Sequence, residues 1–295
     1  MNAPAASPYP LLSLVWSQKL SATPRGLVLA REAHNVLAWG ADHWLHLLNH
    51  AGARQGQSRE VDPVVSACCA DDGSAYAVVG GAREVAWLGP DLMPRWRKAL
   101  PHAPLAAALD AFGRYLAVAD EKGSVHLFDA RGEVVGRASS ARPLCHVAFV
   151  PAAPWLVGSA DFGLAGSFDM KGTWRWRDGL IVNIGSLAVN GDGSQLLLDC
   201  FSEGLRRFDA SGKPLDALRL PEPCRLVAQS FDGSRILVAA MDSQIWLIDP
   251  QGRILAGQRF AQPVSALALA ALADFAIVAL ADGTIQCLKP PAARS

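Results

Sequence analysis

One pattern recurs every 40 residues along almost the whole chain, and a unit that short buries its apolar side only by stacking on its neighbours. The ends of one apolar run fall at Asn49, Gly89, Asp129, Asp169, Asp209, Asp249 and Lys289. Four of them close the pairs Phe128-Asp129, Phe168-Asp169, Phe208-Asp209 and Ile248-Asp249, each followed by Gly132, Gly172, Gly212 or Gly252. Asp-x-x-Gly is turn chemistry: the carboxylate accepts from nearby backbone N–H groups and the glycine takes a positive φ. A second turn keeps the same step, as Asp72-Gly73, Phe112-Gly113, Asp192-Gly193 and Asp232-Gly233.

Between these turns lie short runs with strand character, whose apolar columns hold from repeat to repeat. The first reads Val64-Val65-Ser66-Ala67-Cys68 in one repeat, the second Tyr115-Leu116-Ala117-Val118, the third Gln244-Ile245-Trp246-Leu247-Ile248. A fourth is shorter and more polar, as in Trp174-Arg175-Trp176-Arg177. That gradient suits a four-stranded antiparallel blade whose first strand lines a hub and whose fourth is a solvated edge.

Seven copies of the first three strands start near Gly26, Val64, Leu105, Leu144, Ile184, Arg225 and Val264. The last copy stops at Lys289 without a fourth strand, while an orphan run at residues 12–20 carries Trp16 in the column of Trp96 and Trp176. The pattern predicts an all-β, seven-bladed β-propeller in which the N-terminal strand completes the last blade and removes the open edge. The expected organisation is a flexible segment over residues 1–10, one propeller over 11–289 and a tail over 290–295. Its blades are placed near 24–62, 63–102, 103–142, 143–182, 183–222, 223–262, and 263–289 with 11–20.

The Phe-Asp strand endings resemble the Trp-Asp of WD40 repeats, and Asp-Met-Lys-Gly-Thr-Trp-Arg-Trp at 169–176 is similar to the strand-turn-Trp unit of the quinoprotein-like propellers. The resemblance spans about residues 11–289 and implies architecture more than activity. No repeat has the Gly-His of a full WD40 unit, so the buried Asp-His-Ser-Trp network of that family is not carried over. A quinone cofactor is not expected, because the eight blades, secretory signal and calcium site usual in quinone-binding relatives are not visible. An outer-membrane assembly scaffold of the quinoprotein-like kind needs an export signal that the sequence does not display.

Charge and cysteine usage narrow the function classes. Lys plus Arg and Asp plus Glu balance at 27 each, which removes the electrostatic footprint of a nucleic-acid or anionic-membrane binder. No basic stretch leads into an apolar run at the N-terminus, and the six cysteines lack C-x-x-C spacing, so a cytoplasmic protein with buried free thiols is expected. Residues 264–281 (VSALALAALADFAIVALA) are long and apolar enough to imitate a membrane span, but the repeat cuts them into two strands turning near Asp274, so no membrane insertion is expected.

No Gly-x-Ser-x-Gly elbow and no phosphate loop is present, and no catalytic residue, metal ligand or cofactor is assigned. His43, His46 and His50, with His34 nearby, have ligand-like spacing on a helix, but on a strand positions 43 and 46 point to opposite sides. The leading expectation is a non-enzymatic interaction scaffold whose second-to-third-strand loops present Asp42, Glu84, Asp120, Glu121, Asp161, Glu203, Asp242 and Asp282 on one face to a protein partner, through a basic segment. Such acids also serve tight turns whatever the function. An alternative contact patch is Trp96, Trp174 and Trp176 on the outer strands. The rival is a propeller hydrolase or lactonase with an acidic or metal site at the central opening, for which Asp199 and Glu203, acids that interrupt the repeat, are the best candidates.

Overall fold

The backbone resolves the 40-residue repeat into seven four-stranded antiparallel sheets arranged as the blades of a propeller. This computed structural model describes residues 8–179 and 182–291; positions 1–7 of the N-terminal segment expected to be flexible, and 292–295 of the tail, lie outside the described residues. Blades 1 to 6 span residues 24–58, 64–99, 104–139, 146–178, 186–218 and 224–259. Blade 7 runs over 264–289 and takes Ser13–Lys19 as its outer strand, antiparallel to Thr284–Lys289. Closure reaches further back than that strand: the Pro10 carbonyl accepts from the Gly257 N–H on the outer edge of blade 6, and Leu12 is buried between blades 6 and 7.

Alternation along each strand explains the ring, because successive side chains enter opposite interfaces. Leu37, Leu45 and Leu47 of blade 1 pack with Val64, Tyr76 and Val78 of blade 2. Their neighbours Val36, Ala38 and Leu48 pack with Ile277, Ala279 and Ile285 of blade 7. Seven buried clusters follow this rule among the described residues, one at each blade junction. The core is therefore a ring of interfaces, and a blade removed from its neighbours exposes both faces.

Turn chemistry behaves as its residues dictate. The carboxylates of Asp129, Asp169, Asp209 and Asp249 each accept from the backbone N–H groups two and four residues on, at 2.8–3.0 Å. The apolar run at 264–281 forms the antiparallel strands Val264–Leu269 and Ala276–Leu280. Among the described residues no helix is long and apolar enough to cross a membrane, the one helical segment being the 3-10 turn Phe201–Glu203.

Blades 4 and 5 depart from the others. Their inner strands, His146–Phe149 and Ser186–Val189, are four residues long and lack the bulge that opens the inner strands of blades 1, 2, 3, 6 and 7. In blade 5 the chain between second and third strands also kinks through Phe201, at φ 50°.

Candidate functional site

The central channel, about 310 Å³, is walled by the inner strands of all seven blades. One repeat column supplies Val28, Cys68, Ala108, Ala148, Ala188, Ala228 and Ala268 to it, small residues of which only Cys68 carries an ionisable group, a thiol whose pKa burial raises. At the end where first and second strands are joined, the Arg31 guanidinium forks onto Asp71, with Nε to Oδ1 at 3.0 Å and Nη2 to Oδ2 at 2.8 Å.

Asp199 and Glu203 are not brought together over this channel, and neither lines it. Asp199 ends the second strand of blade 5, fully buried, and neither of its oxygens holds a hydrogen bond of normal geometry. Burial pushes its carboxyl up to about 7. Glu203 sits outside, ion-paired to Arg206 at 2.8 Å beside a rim groove of about 920 Å³ that Arg219 and Glu222 also line.

The loops joining second to third strands share one face, here the loop face. Its acids are largely engaged in local structure. Asp282 pairs with Lys19 at 2.9 Å, which with the Thr284 backbone N–H holds its carboxyl down at about 2. Asp242 pairs with Arg259 at 2.5 Å, and Asp42 accepts from Ser21 Oγ at 2.9 Å. Glu84 opens a third strand, and Glu84, Glu121 and Asp161 are exposed. Asp120 corrects the expectation of a solvated tip: it is 1% exposed, accepts from the Lys122 and Ser124 N–H groups at 2.9 Å each, and faces His126 Nε2 at 3.3 Å.

The tryptophans of the alternative patch are partly exposed and each makes contacts at a blade junction. Trp96 donates from Nε1 to the Ala130 carbonyl of the next blade at 3.0 Å, and its ring meets Phe128 at 6.0 Å. Trp176 stacks on Phe208 of blade 5, whereas Trp174 donates to the Ser139 carbonyl of blade 3 at 2.8 Å. The two rings point to opposite junctions because a bulge at Arg175 reverses the alternation between them. Trp16 repeats the arrangement on His50, so this column seals junctions from outside. The facing glycines are needed twice over: Gly52 and Gly212 have φ of 78° and 83°, and a Cβ there would come within 2.6 and 2.3 Å of the Trp16 and Trp176 rings.

Of the histidines, His46 is buried without a partner for either ring nitrogen, and its pKa is lowered by that burial, while His43 Nδ1 accepts from the Val64 N–H at 3.3 Å. Among the described residues no group of three or more His, Cys, Asp or Glu side chains is gathered to hold a metal ion.

The opposite, turn face carries features that sequence reasoning missed. Backbone hydrogen bonds knit adjacent blades around the channel, among them Asp71 N–H to Ala111 O at 2.9 Å and Phe231 N–H to Ala271 O at 2.8 Å. The turn tips are one repeat column: Glu32, Asp72, Phe112, Ala152, Asp192, Asp232 and Leu272. Asp72, Asp192 and Asp232 each cap their own turn and have no ion-pair partner among the described residues. Side-chain and backbone hydrogen bonds lower the pKa of Asp192 and Asp232, so both stay anionic. Phe112 and Leu272 stand 56% and 85% exposed in a column that holds acids in four of its seven copies, and Phe231, one residue before the blade 6 tip, is 42% exposed. The visible signal was a Phe and a Leu in a mostly acidic column.

No protein-family model matches the chain, and no curated protein matches it either.

Proposed function

We infer that this chain is a non-enzymatic, cytoplasmic interaction module of the WD40-like or quinoprotein-like propeller group, a rigid ring that holds a protein partner on its turn face. The exposure of Phe112, Phe231 and Leu272 on the turn face carries this reading, since much of the surface of a large apolar side chain there is left to water. The unpaired Asp72, Asp192 and Asp232 beside them make a basic partner segment the complementary choice. The Phe-Asp endings and the Trp unit at 169–176 support the family grouping.

The test is retention of a stoichiometric partner during affinity purification from the native cell. Wild-type protein and a loop-face variant, Glu84→Lys with Glu121→Lys and Asp161→Lys, should retain it. A turn-face variant, Phe112→Asn with Leu272→Asp, should lose it. Equal retention by both variants overturns the turn-face assignment, and loss only from the loop-face variant moves the site to the face expected from sequence.

The hydrolase or lactonase alternative has one observation in its favour, the carboxyl of Asp199 held near 7, a value suited to proton transfer. Against it stand the burial of that carboxyl and the apolar channel wall. A stoichiometric divalent ion in the purified protein would favour the enzyme.

A further inference from the structure

Among the described residues the hydrogen-bonded girdle of the turn face lapses at two junctions, between blades 3 and 4 and between blades 7 and 1. Asp71 donates across the junction of blades 2 and 3, and Ala152 donates to Gly191 across that of blades 4 and 5, but no such bond joins the turns at Ala111 and Pro151. Pro151 has no N–H, which shifts the donor of blade 4 by one residue to Ala152. At the first of these junctions the blades leave a cavity of about 360 Å³, lined by Phe112, Tyr115, Phe149, Pro151, Ala152 and Met170 among others. Asp110 and Arg114 also line it, but they neutralise each other at 2.9 Å, and the guanidinium lies 4.7 Å from the centre of the Phe112 ring. The pocket itself is therefore apolar and aromatic, without net charge.

Its flanks are anionic. On one side the turn of blade 2 abuts that of blade 3, since a Cβ on Gly113 would meet Ser74 Oγ at 3.1 Å, and this turn carries Asp72. On the other, the turn of blade 5 abuts the pocket wall, since a Cβ on Gly193 would meet Val150 Cγ1 at 2.9 Å, and this turn carries Asp192. Neither carboxylate has a cation of its own among the described residues, in contrast to Asp242 and Asp282 on the loop face. A hole for one large side chain between two unanswered negative charges specifies its occupant by shape and sign.

We propose that the pocket between blades 3 and 4 anchors an aromatic side chain of a partner segment that carries Lys or Arg on both sides of it. The ring enters the cavity against Phe149 and Met170 with Phe112 as its lip, and the flanking cations lie over Asp72 and Asp192. This rests on the interaction reading above and names the partner chemistry of that face.

The test selects a random peptide display library on the full-length protein and measures synthetic copies of the enriched peptides against variants. The expected consensus is an aromatic residue flanked by Lys or Arg. Phe112→Asn, which keeps a turn-competent residue at the tip, and Ala152→Trp, which fills the hole, should each weaken binding about tenfold or more. Asp72→Asn with Asp192→Asn keeps both caps and should weaken binding while flattening its salt dependence. Melting temperatures matching wild type confirm that the ring is intact, and Phe112→Asn serves alone if Ala152→Trp does not fold. Enriched peptides without that pattern, peptides indifferent to these variants, or a library from which nothing enriches overturn the pocket. Retention of a native partner that the pocket variants leave untouched overturns the pocket while sparing the interaction reading; loss of both sinks them together.

Discussion

The two faces of the ring carry similar acids and use them differently. On the loop face five of eight carboxylates are answered within the fold, Asp282 by Lys19, Asp242 by Arg259, Glu203 by Arg206, Asp42 by Ser21 and Asp120 by backbone donors beneath the surface, while Glu84, Glu121 and Asp161 stand exposed without an ion pair among the described residues. On the turn face Asp72, Asp192 and Asp232 spend one oxygen on a cap and have no ion pair among the described residues, and the tips of blades 3 and 7 carry the exposed Phe112 and Leu272. Acid count therefore says little about which face attracts a cation. What counts is charge left after local structure has been satisfied.

The largest test of the contrast asks whether one closed ring holds both faces. Removing residues 1–20 takes away Leu12, Trp16 and Leu20, together with the Lys19 pair on the loop face and the Trp16 bond to His50 on the turn face. Burial of those three side chains is worth about 5 kcal/mol or more, comparable to the net stability of a domain. The truncated protein should melt at least about 10 °C lower or fail to fold cooperatively. A melt superimposable on wild type would mean that closure supports neither face.

Next in size is Asp199, a loop-face acid sealed inside. Its carboxyl, raised to about 7 by burial, holds its proton more tightly folded than unfolded. Stability is then greatest below about pH 4 and falls as the pH rises to about 7, by up to about 4 kcal/mol. Asp199→Ala restores the residue type of Ala239, one repeat later. It should raise the melting temperature at pH 8 and leave it nearly unchanged near pH 4, and equal shifts at both would remove the titration from the account.

A third substitution pair sharpens the distinction within one loop. Asp120→Lys places a cation where two backbone donors converge under cover and should cost about 3 kcal/mol or more. Glu121→Lys, one residue on and exposed, should stay within about 0.5 kcal/mol. Chemical denaturation of both gives the difference, and equal losses would place Asp120 among the solvated acids after all.

The smallest effect belongs to Lys19 and Asp282, both partly exposed, worth less than about 1 kcal/mol. Because the pair holds the acid's pKa low, its contribution is present above about pH 4 and lost as the pH falls toward 2. Lys19→Met should cost a degree or two near neutrality and nothing at pH 2, and a cost that persisted there would trace to lost packing.

The architecture was legible because a period read across many turns averages out local ambiguity. Seven copies of the first three strands gave the blade count, and Trp16 in the column of Trp96 and Trp176 gave the closure strand. Individual side chains were less legible. Alternation alone puts Trp174 and Trp176 on one solvated face, but the bulge at Arg175 inserts one residue and sends the rings to opposite junctions. Asp-Glu-Lys-Gly at 120–123 reads as an exposed turn, yet its first residue sits where a strand ends under its neighbours. Phe112 and Leu272 were visible as departures in a column with four acids, but only the structure shows that Phe112 forms part of a cavity between blades 3 and 4.

The closure strand also imposes a timetable. Lys19 and its partner Thr284 lie 265 residues apart, so at ordinary elongation rates the first strand leaves the ribosome roughly 10 to 50 s before the last blade exists to receive it. Throughout that interval its backbone groups have no partner strand, and Leu12, which packs between blades 6 and 7, has no core. Blades 1 to 6 can stack in order as they emerge, yet a strand made before all of them is among the last to be placed. The nascent chain therefore travels with an open end, and whatever shields that end during synthesis governs how much of the protein reaches the closed ring.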